Sequence, residues 1–244
     1  MKLLLISDIH ANLSAFDALM SHAQATYGAD VLIAHLGDAL DYGMRPNEIM
    51  ERLVELDERI VVNLAGNHER ALMGTDRDRF SSCRGIVANR FTSSILEARW
   101  FEYIALKMKP VPLSVEMSGY QILFVHGSLA DPFWGEMSDA EMASDVYRNF
   151  DFVICGHTHI PLLKVKLHDD DSPAVRSGKA RTTFINPGSA GQPRNLNSAA
   201  QYGLLNLETG TIHFNAVPYD IQAEIALYNG EIDPFYGERL EYGR

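Results

Sequence analysis

The stretch FDFVICGHTHIP, residues 150–161, passes from an apolar run directly into two histidines. The run Phe152–Cys155 predicts a buried strand that ends at Gly156. His157 and His159 follow, and two residues at this spacing point to the same side of extended backbone. Such a pair is either two surface loop histidines or part of a metal site, because neutral imidazole is the commonest protein ligand for transition metals.

Strand-like apolar runs recur along the chain, and several are hydrophobic at nearly every position, as is typical of strands covered on both faces. These runs lie at residues 2–7, 31–36, 60–64, 121–126, 151–155 and 182–186. Helical patterns separate the first three runs. The first helix is capped by Asn12 or Ser14 and ends at Gly28, and the second begins at Pro46.

Strands that alternate with helices predict an α/β fold in which two packed mixed β-sheets are flanked by helices. We expect one domain over residues 1–244. It contains a helical excursion at about 68–109 and a further helix at 138–149. Two further strands at 200–207 and 211–217 form a hairpin, and a C-terminal tail begins at Asp220 and starts as a helix.

The composition, with 46% hydrophobic and 22% charged residues, is ordinary for a soluble globular protein. The net charge of −11 disfavours binding to nucleic-acid polymers, for which a basic surface is expected. It does not exclude a phosphorylated substrate if bound cations supply the positive field. The acidic run Asp169–Asp171 predicts a solvated loop, since it lacks the spaced ligands of a calcium-binding loop.

Cysteine usage and the first residues of the chain indicate the compartment. Cys83 and Cys155 are far apart and form no CxxC pattern, which favours a reducing compartment. The apolar run after Lys2 ends at Ser7, so it is too short for a signal peptide or a membrane span. We therefore expect a cytoplasmic protein without a membrane partner.

Residues with metal-ligand side chains follow five of the predicted strands directly. They lie in the segments Asp8-Ile9-His10, Gly37-Asp38-Ala39-Leu40-Asp41, Gly66-Asn67-His68-Glu69, His126-Gly127 and Gly156-His157-Thr158-His159. Each has an ordinary alternative: Asp8 could cap a helix, Asn67 could lie in a turn, and His126 could be a core histidine. Five such segments at equivalent positions instead favour one shared site, because ligands of open α/β sheets bind outside the carboxyl ends of the strands.

The ordered motifs DxH, GDxxD, GNHE, a lone His-Gly and GHTH, between residues 8 and 159, resemble those of the calcineurin-like metallophosphoesterase superfamily. The segment INPGSAGQPR, residues 185–194, is similar to a segment common in its smaller bacterial members. The resemblance therefore covers most of the chain, and it implies the four-layer sandwich of that family.

Carried over residue by residue, the resemblance implies two metal ions. One would be held by Asp8, His10 and His159, and the other by Asn67, His126 and His157. Asp38 would bridge both ions. A nitrogen and oxygen ligand set without thiolates suits Mn²⁺, Fe or Zn²⁺.

The resemblance also implies how the reaction would proceed. Two divalent cations about 3.5–4 Å apart hold a hydroxide that attacks the phosphorus, and they offset the charge of the phosphoryl oxygens. His68, which is not a ligand in the family pattern, would protonate the leaving group. Asp41 would accept a hydrogen bond from His68, orient its ring and raise its pKa.

One motif departs from the family pattern. The protein Ser/Thr phosphatases typically read GDxVDRG, with an arginine that grips the substrate phosphate, but Tyr42 occupies that position here. This substitution disfavours phosphoprotein substrates. Arg194 is a candidate replacement for the missing arginine, and its alternative is an ordinary surface loop arginine.

The sequence thus predicts a phosphoesterase that hydrolyses phosphodiesters or small phosphorylated metabolites, with diesters favoured over monoesters. The alternatives are a protein phosphatase-like enzyme, a dinucleoside polyphosphate hydrolase, and a non-catalytic scaffold on the same fold. Scaffold members usually lose ligands or the His-Asp pair, and all of these positions are intact here. A nuclease acting on long DNA is disfavoured by the acidic charge, and the sequence does not indicate an oligomeric state.

Overall fold

The computed structural model of the protein describes residues 1–169 and 179–244. Its strands in these two ranges are β1 (Lys2–Ile6), β2 (Leu32–His35), β3 (Ile60–Asn63), β4 (Leu113–Met117), β5 (Tyr120–Phe124), β6 (Phe152–Ile154), β7 (Leu162–Asp169), β8 (Lys179–Asn186), β9 (Ala200–Asn206) and β10 (Thr211–Val217). Its helices there are α1 (Leu13–Tyr27), α2 (Pro46–Glu55), α3 (Asn67–Leu72), α4 (Cys83–Ile95), α5 (Ala98–Lys107), α6 (Asp139–Met142), α7 (Ile221–Ile225) and α8 (Phe235–Tyr242).

The strands form two mixed five-stranded sheets. The first has the order β10-β9-β1-β2-β3, in which β1, β2 and β3 run parallel while β9 and β10 are antiparallel additions. The second has the order β4-β5-β6-β8-β7, in which β5, β6 and β8 run parallel and the edge strands β4 and β7 are antiparallel. The predicted fold of two mixed sheets flanked by helices is confirmed.

Strand β1 shows how the sequence makes these layers. Leu3 and Leu5 pack into the hydrophobic core between the two sheets. Leu4 and Ile6 point the opposite way, into the core beneath α1, α2 and α5. Both faces are covered, so the period-two alternation of side chains gives a strand that is hydrophobic throughout.

The first two helices begin where the sequence predicts. The side chain of Asn12 accepts a hydrogen bond from the backbone N–H of Ala15 at 3.0 Å and so caps α1, which ends before Gly28. Pro46 is the first residue of α2, where its missing N–H costs nothing. These helices start close to the carboxyl ends of β1 and β2 and therefore leave short loops at that edge of the sheet.

Three sequence predictions need correction or completion. The prediction of a single helix at 138–149 is wrong, because α6 ends at Met142. A separate 3₁₀ turn starts after Ser144, whose hydroxyl accepts a hydrogen bond from the N–H of Val146. Strands β4 and β7 were not predicted. They are edge strands with many exposed positions, so their hydrophobic signal is weak.

The remaining segments have the following outcomes. Helices α3, α4 and α5 occupy the helical excursion at 68–109, and α7 and α8 occupy the tail from Asp220. Of the acidic run predicted as a solvated loop, Asp170 and Asp171 lie outside the described residues. Among the residues that the structure describes, no helix is long and apolar enough to cross a membrane.

Candidate metal centre

The predicted site residues lie beyond the carboxyl ends of parallel strands, most of them in loops, with Asn67 and His68 as the first two residues of α3. Nine of them directly follow β1 (Asp8, His10), β2 (Asp38, Asp41), β3 (Asn67, His68), β5 (His126) and β6 (His157, His159). Because the two sheets bring these ends together, the structure places all nine in one region. Their side chains are buried or nearly so.

Asp8, His10 and His159 form one cluster. Nε2 of His159 lies 3.3 Å from Oδ1 of Asp8 and 3.2 Å from Nε2 of His10. Nε2 of His10 lies 4.0 Å from the same carboxylate oxygen of Asp8. Three potential ligand atoms thus surround one point, contributed by the loops after β1 and β6.

Asn67, His126 and His157 form a second cluster. Oδ1 of Asn67 lies 3.1 Å from Nε2 of His126 and 2.9 Å from Nδ1 of His157. The loops after β5 and β6 contribute the two histidines, and Asn67 is the first residue of α3, which follows β3. His157 and His159 are only two residues apart in sequence, yet they belong to different clusters.

Asp38 lies between the two clusters. Its Oδ2 lies 3.2 Å from Nε2 of His126 and 3.9 Å from Nε2 of His10. Its Oδ1 accepts a hydrogen bond from the backbone N–H of His68 at 2.9 Å, which fixes the carboxylate. A Cβ at Gly66 would lie 2.0 Å from that Oδ1, so only glycine permits this close approach.

Backbone carbonyls orient three of the histidines. In each of these rings Nδ1 lies within hydrogen-bond distance of a carbonyl oxygen, so Nδ1 carries a proton and Nε2 points toward the site. The pairs are His10 with Leu40 at 2.9 Å, His126 with Leu36 at 2.8 Å, and His159 with Gln192 at 2.6 Å. The sequence motifs do not reveal these carbonyl partners.

The atoms of the first cluster fit a cation. With both Nδ1 atoms as donors, the Nε2 lone pairs of His10 and His159 face each other, which is unfavourable unless a positive charge lies between them. Burial keeps the pKa of both rings well below the ordinary value, so they are in the neutral form that binds metals. Oδ1 of Asp8 is buried and has no hydrogen-bond partner in the described part of the chain, and burial raises the pKa of this carboxyl to about 6.

The second cluster carries a positive charge of its own. Burial opposes protonation of His126, but the carboxylate of Asp38 outweighs it and raises the pKa of His126 to about 9. Burial lowers the pKa of His157 to about 3. A cation at this position would replace the His126 proton as the partner of Asp38, since the donor atoms are oxygen and imidazole nitrogen.

His68 belongs to a chain of hydrogen bonds that leads away from the two clusters. Its Nδ1 lies 2.7 Å from Oδ2 of Asp41, which also accepts from Nδ2 of Asn89 at 2.6 Å. Nε of Arg77 in turn donates to Oδ1 of Asn89 at 2.7 Å. Burial alone would lower the pKa of His68, but the carboxylates of Asp38 and Asp41 outweigh it and raise the pKa above its ordinary value.

His68 also groups with His10 and Asp38 as three side chains that could hold an ion together. Its Nδ1, however, is already engaged by Asp41, and its Nε2 lies 3.8 Å from Oδ2 of Asp38. Nε2 therefore faces the region between the two clusters and is free to exchange a proton there.

Glu69, which follows His68, ties the loops together. Its buried carboxylate accepts backbone N–H groups from Asp38 at 2.9 Å, Leu40 at 3.1 Å and Gly66 at 2.8 Å. It thereby joins the loop after β2 to the loop after β3. Sequence reasoning quoted this residue within GNHE but gave it no role.

The site is built on unusual backbone. Five of the seven predicted ligands have a positive φ, namely Asp8 (54°), His10 (50°), Asp38 (56°), His157 (66°) and His159 (61°). Asp41 and Tyr42 share this left-handed conformation at 69° and 65°. Residues other than glycine adopt the left-handed conformation at a cost in free energy, and residues with such strained backbone cluster at functional sites.

A cleft of about 600 Å³ opens onto these clusters. Tyr42 lies at its inner end, with its ring centroid 4.5 Å from those of both His10 and His68. Arg194 lines the cleft, and its backbone N–H donates to the carbonyl of His159 at 3.2 Å. The structure thus places Arg194 on the lining of the cleft, and its role in phosphate binding stays a prediction.

Comparisons with known proteins show which family and which solved structures this chain is similar to. A model of the calcineurin-like phosphoesterase superfamily domain matches residues 1–210. The crystal structure of a metallophosphoesterase from Sphaerobacter thermophilus is similar over 100% of both chains, with 27% sequence identity and a TM-score of 0.77.

Two archaeal proteins are also similar along almost their whole length. A hypothetical protein from Pyrococcus horikoshii has the same fold, with a TM-score of 0.80 and 19% identity over 100% of this chain and 98% of that one. An uncharacterized protein from Methanocaldococcus jannaschii is 27% identical over 98% of this chain and 97% of its own.

Proposed function

Because the chain belongs to the calcineurin-like phosphoesterase superfamily, we propose that it hydrolyses phosphodiesters or small phosphorylated metabolites with two metal ions in the candidate metal centre. The observation that carries this proposal is the position of Asp38. Its carboxylate lies between an Asp8–His10–His159 cluster and an Asn67–His126–His157 cluster.

The proposed ligands divide between the two ions as the clusters do. Asp8, His10 and His159 would hold one ion, Asn67, His126 and His157 would hold the other, and Asp38 would contribute to both. When bound, such a pair of Mn²⁺, Fe or Zn²⁺ ions acidifies water and offsets negative charge on the phosphoryl group. The remaining chemistry belongs to the side chains of the cleft.

His68 is the proposed general acid. The carboxylates of Asp38 and Asp41 raise its pKa and so favour the protonated ring, and its Nε2 faces the region between the clusters, where a substrate phosphate would lie. The proton passes from Nε2 to the departing oxygen. Asp41 holds Nδ1, and Asn89 holds Asp41, so the ring keeps one orientation while its charge changes.

Arg194 is the proposed phosphate-binding arginine. Its Nε is buried and has no hydrogen-bond partner among the described residues, so it remains available to an anion. Tyr42, at the position of the arginine in protein Ser/Thr phosphatases, is a neutral side chain because burial raises its pKa above the ordinary value. We therefore propose that small diesters are better substrates than phosphoproteins.

The test is a substrate panel assayed with added Mn²⁺, which contains bis-p-nitrophenyl phosphate, p-nitrophenyl phosphate, a phosphoserine peptide and dinucleoside polyphosphates. We expect the diester to be hydrolysed fastest and chelation to abolish the activity. Hydrolysis that persists after removal of metal contradicts the metal-dependent mechanism. Absence of turnover on every compound would instead favour the non-catalytic scaffold.

A further inference from the structure

One wall of the cleft carries arginines that the proposed chemistry does not use. Arg239, from α8, and Arg84, from α4, line the cleft together with Arg194. Nε of Arg84 lies 3.9 Å from the carboxylate oxygen Oδ2 of Asp233. Within residues 1–169 and 179–244, neither Arg194 nor Arg239 pairs with an Asp or Glu side chain.

Among the described residues, Arg239 is surrounded by a backbone oxygen and an aromatic ring, with no Asp or Glu side chain paired to it. Nε donates to the backbone oxygen of Arg244, and the guanidinium lies 5.1 Å from the ring centroid of Phe235. Burial, followed by the nearby charge of Arg194, lowers the pKa of Arg239 to about 10. Two guanidinium groups that repel each other in a half-buried place are stabilised when an anion lies between them.

Helix α8 is fixed against the metal centre by two tyrosines. The rings of Tyr236 and Tyr42 are stacked with centroids 4.3 Å apart, and Tyr42 contacts both His10 and His68. Arg239 lies three residues after Tyr236 and therefore on the same face of the helix. Arg194 is connected to the centre from the other direction through its bond to the His159 backbone.

This concentration of positive charge stands out in a chain of net charge −11. It also depends on a segment beyond the matched superfamily domain, since that match ends at residue 210 and α8 spans Phe235–Tyr242. Guanidinium groups bind phosphate through paired, charge-assisted hydrogen bonds, and Nε of Arg194 is buried with no hydrogen-bond partner among residues 1–169 and 179–244.

We propose that Arg239, beside the Arg194 that is proposed to bind the reacting phosphate, forms a second phosphate subsite, so that preferred substrates carry a further phosphate beside the one at the metal centre. This inference rests on the proposed function for the place of the reacting phosphate. Arg239 is a specificity-determining residue in this scheme, and it takes no part in the bond-breaking step.

Binding of pyrophosphate to the metal-free protein tests the subsite without any turnover. We expect Arg239→Gln to weaken binding about 10–100-fold, as befits the loss of a charged hydrogen-bonding group. Arg239→Lys should recover part of the affinity, and Arg90→Gln, which removes the same charge from an exposed position outside the cleft, should bind like wild type. Calorimetry gives the affinities, and thermal unfolding confirms that each variant is folded. Equal affinity of wild type and Arg239→Gln, or no binding by wild type, overturns the subsite.

A matched pair of substrates tests the same inference in catalysis. Thymidine 5′-(p-nitrophenyl phosphate), with and without a 3′-phosphate, has the same leaving group and differs by the second phosphate alone. With Mn²⁺, wild type and Arg90→Gln should prefer the 3′-phosphorylated ester about tenfold in kcat/KM, and Arg239→Gln should lose this preference.

The two proposals fail in different ways. Hydrolysis of both thymidine esters at equal kcat/KM by wild type retains the phosphoesterase and overturns the subsite. A preference that Arg239→Gln keeps overturns it as well. If neither ester is hydrolysed, the proposed function is contradicted. The pyrophosphate-binding experiment then tests the subsite by itself.

Discussion

Oδ2 of Asp41 lies 2.7 Å from Nδ1 of His68, on the opposite side of the imidazole ring from the Nε2 atom that faces Asp38. The carboxylate is fully buried and also receives the side-chain amide of Asn89. A proton lost from Nε2 therefore leaves a ring that is still held in place through Nδ1. This relationship separates the proposed acid from the proposed metal ligands, and it can be tested apart from them.

Replacing His68 with alanine should cost most where the leaving group needs a proton most. We expect a loss of about 10²–10⁴-fold on alkyl phosphodiesters and a much smaller loss on p-nitrophenyl esters. The measurement is a series of aryl and alkyl diesters assayed on wild type and His68→Ala, with log rate plotted against leaving-group pKa. A steeper slope in the variant supports the assignment, and parallel lines would show that His68 stabilises charge instead.

Asn89→Ala should show the same leaving-group bias in milder form, because it removes one hydrogen bond to Asp41 and leaves His68 in place. Asp41→Asn should lie between Asn89→Ala and His68→Ala. Metal content should match wild type in all three variants, since none of these residues is a proposed ligand. A large loss of metal in any of them would place that residue in the ligand set.

Asp38→Asn tests the bridging carboxylate. The substitution removes the negative charge that both clusters share, so metal content and turnover should fall together. Elemental analysis of purified wild type and variant measures the first, and bis-p-nitrophenyl phosphate hydrolysis measures the second. Full occupancy by two metals in Asp38→Asn would contradict the bridge.

Glu224→Gln should destabilise the fold at the junction of α7 with α1 and α2. The fully buried carboxylate of Glu224 pairs with Arg45 and accepts the N–H of Ser14 at 3.3 Å. The substitution leaves the Arg45 guanidinium, 25% exposed, without its counter-charge, and we expect about 2–3 kcal/mol less free energy of unfolding in urea.

The control for Glu224→Gln is Arg52→Gln, which breaks the exposed ion pairs of Arg52 with Asp17 and Glu55. Exposed pairs contribute about 1 kcal/mol or less, so Arg52→Gln should change the free energy of unfolding little. Similar losses in the two variants would show that burial of the Glu224 pair is unimportant.

His35 should make stability depend on pH. Burial lowers its pKa to about 4 in the folded protein, against 6.5 in the unfolded chain. Between these values the unfolded state binds a proton that the folded state does not, so stability falls as pH falls from about 6.5 to 4, by up to about 3 kcal/mol. His35→Gln, which can still donate to Asn63, should lose this part of the dependence. Identical pH profiles for the free energy of unfolding would refute the assignment.

Local sequence rules located the candidate metal centre because its residues follow strands directly. The i, i+2 pairs Asp8 with His10 and His157 with His159 are short-range signals, and the carboxyl ends of parallel strands meet at one edge. Their assembly in one place could therefore be predicted from the sequence. Their roles as ligands remain predictions.

The supporting residues could not be predicted in this way. Asn89 and Arg77 reach Asp41 because the helical excursion docks there, and Arg239 reaches the cleft because α8 stacks Tyr236 on Tyr42. Such contacts depend on long-range packing, for which the sequence carries no periodic signal. The carbonyl groups that orient the histidines are equally invisible, since every residue has one.

At five of the proposed ligands the backbone is left-handed, so the residue that is best for stability differs from the residue that a metal site requires. At these positions glycine or asparagine would suit the chain better, whereas a metal site requires carboxylate or imidazole. A lineage that no longer needed the reaction would thus be free to relax Asp8, His157 and their neighbours toward glycine and asparagine, and would gain stability as it did so. In this chain Asp or His stands at all five of these positions.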